Sequence, residues 1–364
     1  MGEQGTAQPD RRNGSRNRRM KRLLLAAALA LGMAQPSPAL AKKDVKPLFV
    51  DEDSPIQITI TGPIRTLVRK AKRSTDPYPA TLTMDGATYP IELAARGFSR
   101  RTQNCKFPPL RVTFTDKPPK ESLFKGQHKL KLVVHCRDGD NYEQMTLKEY
   151  TAYRLYNILT PDSFRVRLAN VRYVDDGKEF AHRAAFFIED VDDVADRMDG
   201  KELQVSRVPG SSLLPAAAAR VALFQYMIAN ADWAMLAGPE GKDCCHNSKL
   251  IGAGPYDAKN LTPLPYDFDY TGLVNAPYAA PSEAMHITSV RTRRYWGLCR
   301  NNAEVIQQAP AFLAARPAME QEIRSIPGLD DKSRDDMIKY LGGFFEDIAT
   351  PDDIQKNLLR DCRD

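Results

Sequence analysis

Lys129-Leu-Lys-Leu-Val-Val134, a polar break from Arg137 to Tyr142, and then Gln144–Leu159 form the stretch whose reading decides the fold. In the first run lysine alternates with leucine, which predicts a strand carrying Lys129 and Lys131 on one face. In the last, Leu147, Tyr150, Leu155 and Ile158 recur at helical spacing. Upstream the signals are β-type: Ile56–Ile60 alternates, Ala80–Met84 and Tyr89–Leu93 flank the turn Asp85-Gly86, and Leu110–Phe114 alternates again. Downstream, strands are expected at Val166–Val174 and Ala184–Ile188, joined by Asp175-Asp176-Gly177. After Glu189 the character changes to a helix ending near Asn230 and a wholly helical region over 300–362, punctuated by Pro310, Pro317, Pro327 and Pro351. The pattern is α+β: a β-rich half with one main helix, 42–190, followed by an α-rich half, 191–364.

The chain has 364 residues, 42% hydrophobic and 27% charged, which is globular composition and excludes wholesale disorder. No apolar run reaches the length of a membrane span. Seven basic residues against two acidic ones in residues 1–41 supply five of the six net positive charges. The remaining body is nearly neutral, which removes the electrostatic case for nucleic acid. Those basic residues precede the short apolar run Leu23–Met33 and the small-residue ending Ala39-Leu40-Ala41. That order predicts a signal peptide over 1–41, with Met20 as an alternative start, and an exported, periplasmic or extracellular mature protein. Six cysteines in an exported chain predict up to three disulfides, with Cys105–Cys136 the natural pair. Adjacent Cys244 and Cys245 are expected to bridge to other segments rather than to each other.

The strongest chemical constellation is Asn230-Ala-Asp232-Trp233, Asn247, and Tyr266-Asp267-Phe268-Asp269. Each group lies at the end of an apolar helix or strand. Carboxylates and a carboxamide so placed are hard oxygen ligands of the kind Mg²⁺ uses beside phosphates. They also supply the parts of phosphoryl transfer, one Asp to orient the nucleophile and an Asn and an Asp to hold metal. No Ser-His-Asp order, His-Glu-x-x-His or P-loop is present, and neither a G-x-G-x-x-G loop nor His-Arg-Asp. His246 reads as a solvated loop residue, with contact to phosphate the alternative. Arg291-Thr-Arg293-Arg294-Tyr295-Trp296 reads as a surface helix start with its aromatic pair packed inside, with docking of an acidic peptide or a phosphate the alternative.

The order of motifs resembles the atypical kinases typified by spore coat protein H. Arg96-Gly97-Phe98-Ser99-Arg100 is similar to that family's R-G-x-S segment, followed by Lys106 and an alternating strand. Leu123-Phe124 with Lys129–Val134 resembles its next strand, and Lys148-Glu149-Tyr-Thr-Ala152-Tyr153-Arg-Leu155 its helix. Ala185–Glu189 resembles its strand ending in Glu, and Pro265-Tyr-Asp267-Phe-Asp269 its D-x-D segment, so the likeness covers roughly 90–300. It implies a protein-kinase-like two-lobed fold, a β-rich N-lobe (42–190) and an α-rich C-lobe (191–364). It further implies an ATP-dependent kinase using Mg²⁺ or Mn²⁺ on Ser/Thr of secreted or envelope proteins. By the same resemblance Asp232 is the catalytic Asp, Asn247 and Asp267 hold metal, and Asp269 is a further ligand. Arg96 and Ser99 belong to the nucleotide site, and Glu189 to a hinge against the adenine. One of Lys106, Lys129 and Lys131 would reach the phosphates, with Glu149 as ion-pair partner of that lysine. A catalytically inactive, adhesin-type envelope binding protein and a metal-dependent phosphoesterase are the competing expectations.

Overall fold

The computed structural model describes residues 45–50 and 54–364, so the expected signal peptide lies outside the described residues. The elements run β1 (Ile56–Thr61), α1 (Ile64–Lys70), β2 (Tyr78–Met84), β3 (Ala87–Ala95), β4 (Leu110–Phe114), β5 (Lys129–Val133) and α2 (Asp140–Leu159). Then come β6 (Val166–Asp175), β7 (Lys178–Ile188), α3 (Val191–Arg197), β8 (Lys201–Glu202), α4 (Pro215–Met227), β9 (Ser248–Gly252) and β10 (Thr262–Pro265). Helices α5 (Asn302–Ser325), α6 (Asp331–Asp347) and α7 (Pro351–Asn357) complete the chain. Both expected hairpin turns form. Asp85-Gly86 and Asp176-Gly177 hold positive φ at both central positions, which the short Asp side chain tolerates and Gly adopts freely.

The expected two-lobed kinase-like fold is not what these strands build. Seven of them close into a barrel in the order β1-β2-β3-β4-β5-β7-β6. Closure is made by β1 lying parallel to β6, Ile56 opposite Ala169 through Thr61 opposite Val174, while β5 pairs β7. Strands β8 to β10 form a separate small sheet. The physical reason lies in β7, whose two faces feed two different cores. Ala185 and Phe187 point into the barrel with Leu82, Val112, Leu130 and Tyr173. Ala184, Phe186 and Ile188 point outward and join α2 and the C-terminal helices. Helix α2 is buried from Thr146 to Tyr153 without a break, because it is packed on the barrel wall on one side and helical residues on the other. The helix assigned to an N-lobe therefore belongs to the helical core, and that core runs without interruption across the 190/191 boundary.

The C-terminal region is helical as expected, but Pro310 and Pro317 lie inside α5 rather than ending helices. Both are exposed, so the carbonyls that lose their partners four residues earlier can be met by solvent. Cys105–Cys136 forms as expected, and Cys299 pairs with Cys362. Cys244 and Cys245 pair with each other, against the expectation that they bridge elsewhere. Among the described residues, no helix is long and apolar enough to cross a membrane.

Candidate active site

A cleft of about 490 Å³ opens where the β3–β4 connection faces the loops that follow α4, precede β9 and follow β10. Residues named from sequence converge on it: Arg96, Ser99, Asp232, Asn247, Asp267 and Asp269 all line it. The backbone is set by short polar side chains. Asn247 and Asp267 stand in the left-handed region at φ 48° and 66°, a conformation these residue types adopt more readily than most. Tyr153 of α2 fixes the second turn by accepting the Asp267 N–H at 2.8 Å through its hydroxyl.

Glu149, Asp267 and Asp269 bring one carboxylate oxygen each to within 4.8 Å of one another. Glu149 and Asp269 are buried. Loss of hydration pushes both carboxyls above the usual range, and repulsion within the trio adds to it, while Arg100 opposes the shift. Arg100 is itself buried. It donates to Glu149 Oε2 at 3.0 Å and to the Val134 carbonyl at 2.8 Å, and its Nε stands 3.8 Å from Asp269 Oδ2. Three polar atoms here have no hydrogen-bond partner: Arg100 Nε, Glu149 Oε1 and Asp269 Oδ2. Buried carboxylate oxygens without a donor are costly, and a hard divalent cation is the group that satisfies them. The donor set is all oxygen, which suits Mg²⁺ or Mn²⁺ and not a thiolate- or imidazole-seeking metal.

Arg100 is held by a staple. It begins a single π-helical turn, Arg100–Asn104, whose end is Cys105, and Cys105 is bonded to Cys136 two residues beyond Val134. The Cys105 N–H donates to the Arg100 carbonyl at 2.8 Å, and the Lys106 N–H to the Cys136 carbonyl at 2.9 Å. Replacing both cysteines with alanine should therefore lower stability by about 2–4 kcal/mol, read as the urea midpoint. A change below about 0.5 kcal/mol would mean that the bridge adds nothing to this corner.

Asp232 is prepared differently. Its backbone N–H is accepted by Asn230 Oδ1 at 2.9 Å, an Asx turn that sets its direction. Asn247 Nδ2 donates to the Asp232 carbonyl oxygen at 2.7 Å and to Oδ2 at 3.0 Å. His246 Nε2 lies 2.6 Å from Oδ1, and that hydrogen bond raises the imidazole above its ordinary value. Both side chains remain partly exposed to the cleft. The result is an oriented carboxylate backed by a titratable ring, an arrangement suited to receiving a proton.

Other expected residues fall elsewhere. Glu149 is paired with Arg100 and not with a lysine. Glu189 is buried, pairs with Arg197 at 3.0 Å and accepts the Arg165 N–H at 3.0 Å, so its carboxylate ties α3 to the residue just before β6 rather than facing a hinge. Lys106 lines a groove with Arg101 and Arg137, and Lys129 one with Asp190 and Asp193. Of the three lysines, Lys131 is beside the cleft, its Nζ 5.5 Å from the ring centre of Tyr266. Asn247 is committed through its amide nitrogen to Asp232, leaving only its oxygen for a cation.

The sequence reading missed Arg100, His246 and Tyr278, whose hydroxyl hydrogen-bonds Asp269. Two of these had a signal: Arg100 closes the quoted Arg-Gly-Phe-Ser-Arg segment, and His246 is adjacent to Asn247. No protein-family model matches the chain, and no curated protein matches it.

Proposed function

We propose that the chain is an exported phosphotransferase that moves the γ-phosphoryl group of ATP to Ser or Thr hydroxyls of secreted or envelope proteins, with Mg²⁺ or Mn²⁺. The observation that carries this reading is the trio Glu149, Asp267 and Asp269, of which Asp267 and Asp269 line the same cleft as the separately oriented Asp232 while Glu149 is buried. The motif order shared with the spore coat protein H kinases is its second support, and three disulfides accord with export. The reading rests on the site and not on a kinase-like fold.

In this scheme Glu149, Asp267 and Asp269 hold the divalent cation, which neutralises charge on the phosphates when bound. Arg100 opposes the protonation that burial favours at Glu149 and holds its carboxyl in place through Oε2. Asp232 orients the substrate hydroxyl and takes its proton as the oxygen bonds to the γ-phosphorus. The bond from that phosphorus to the β–γ bridging oxygen breaks at the same time, and ADP leaves. His246 then relays the proton from Asp232 to solvent. Arg96 and Lys131 supply positive charge for the remaining phosphate oxygens.

Lys131 makes this dependent on pH. Burial, with Arg96 and Lys249 adding to it, lowers its ammonium to about 8. The lysine is charged below that pH and loses its charge above it, so ATP affinity should be flat from pH 6.5 to 7.5 and fall above pH 8. Lys131→Met should weaken ATP binding roughly tenfold at pH 7, the scale of one charge-assisted hydrogen bond, and flatten the profile. Titration of a non-hydrolysable ATP analogue at pH 7 and pH 9 reads both effects.

The test of the activity is incubation with ATP labelled at the γ-phosphate, Mg²⁺ or Mn²⁺, and candidate envelope proteins. Label should appear on protein hydroxyls and disappear with Asp267→Ala. Phosphate release from a simple ester without ATP, with no label transferred, would replace this reading by a phosphoesterase.

A further inference from the structure

A second cavity, of about 570 Å³, is lined by Asn275, Arg291, Arg293, Asp336, Lys339, Tyr340 and Gly343, none of which lines the active cleft. The Tyr340 ring meets two guanidinium groups, at 4.3 Å (Arg291) and 4.1 Å (Arg293) from its centre. Both arginines are held in place. Arg291 makes a bidentate pair with Asp336 at 2.9 and 3.2 Å, and the Tyr340 hydroxyl donates to the Arg291 carbonyl at 2.9 Å. Arg293 donates through Nε and Nη2 to the carbonyls of Met227 and Tyr340. Its Nη1 is left aimed toward Gly343, where an added Cβ would come within 3.3 Å of it.

Three cations against one carboxylate leave this pocket with a net charge of about +2, the complement of a phosphate dianion. Two further observations point to an occupant. Gly342 and Gly343 stand in the interior of α6, where glycine is unfavourable relative to alanine. The second keeps the space in front of Arg293 open. A guanidinium fixed by backbone carbonyls also loses little freedom on engaging an anion, which is how arginine recognises phosphate oxygens. The expected surface helix at Arg291–Trp296 is absent: the segment is irregular, and Tyr295 is buried beneath it.

We propose that this pocket binds a phosphate dianion, free or carried as a phosphomonoester on a protein side chain. Arg293 and Lys339 are its principal ligands, and Arg291 is shared between the ligand and Asp336. The pocket needs no ATP and no metal, so it stands or falls separately from the phosphotransferase reading.

The experiment titrates the metal-free protein, without nucleotide, with inorganic phosphate, a phosphoserine peptide and the same peptide unphosphorylated. Wild type should bind one or both phosphate-bearing probes and not the plain peptide; which of the two binds tighter tells free phosphate from phosphoprotein. Lys339→Glu, an exposed position, should weaken binding at least tenfold. Gly343→Leu should abolish it while the protein remains folded by circular dichroism, since leucine favours the helix and occupies the space in front of Arg293. The proposal is overturned if neither phosphate probe binds at millimolar concentration, if both variants bind like wild type, or if Lys131→Met rather than the pocket variants removes binding.

Discussion

Arg100→Ala should destabilise the folded protein by about 3–5 kcal/mol, the cost of leaving one member of a buried ion pair without its partner. Arg100 is the one basic side chain paired with Glu149 among the described residues, and both are buried. Without it, Glu149 faces Asp267 and Asp269 with no compensating charge nearby. The sign of the pH dependence follows. Burial already raises the Glu149 carboxyl above its unfolded value, so a protonated Glu149 needs no partner, and the loss should shrink toward pH 5 and grow toward pH 8. Mg²⁺ should restore part of the stability by taking over the neutralisation. Arg100→Met combined with Glu149→Gln should be far less damaging than Arg100→Ala, because no buried charge is left over. Urea midpoints of the three proteins at two pH values measure this, and a loss under 1 kcal/mol for Arg100→Ala at pH 8 would show that the pair does not hold the cluster.

Asp232→Asn should lower turnover by roughly 10²–10⁴-fold, the range for a lost general base, with ATP affinity and melting temperature close to wild type. The carboxamide keeps the shape, and the Asx turn from Asn230 holds the backbone and is untouched. Asp267→Ala should fail in the opposite way, losing metal and nucleotide affinity together with turnover. Steady-state rates, nucleotide titration and thermal melts on both variants separate the two roles. If Asp232→Asn transfers phosphate at the wild-type rate while folded, Asp232 is not the residue that receives the proton.

The local elements were legible because their signals are local. Alternation marked β1 to β5, Asp-Gly pairs marked two hairpins, and Asp267-Phe-Asp269 after an apolar run marked the acid cluster. What was not legible depends on pairing across distance. Barrel closure needs Ile56 to lie beside Ala169, and nothing in either run encodes the other's address. The same holds for Glu149: its helix was read, but whether a lysine or Arg100 would reach it is decided by where the Cys105–Cys136 bridge places the turn after Ser99. Glu189 illustrates the reverse case. The family resemblance implied a hinge contact for it, whereas Arg197 one helix later pairs with it. For His246, an exposed loop setting suggested solvent, and only the fold brings Asp232 to 2.6 Å.

Binding of Mn²⁺, followed by its electron paramagnetic resonance signal with and without ATP, tests the central claim most directly. The wild-type protein should take up Mn²⁺, ATP should tighten that uptake, and Asp267→Ala should abolish both while remaining folded. A wild-type protein that leaves the free Mn²⁺ signal undiminished, with ATP present or absent, would contradict the assignment of Glu149, Asp267 and Asp269 as a metal centre.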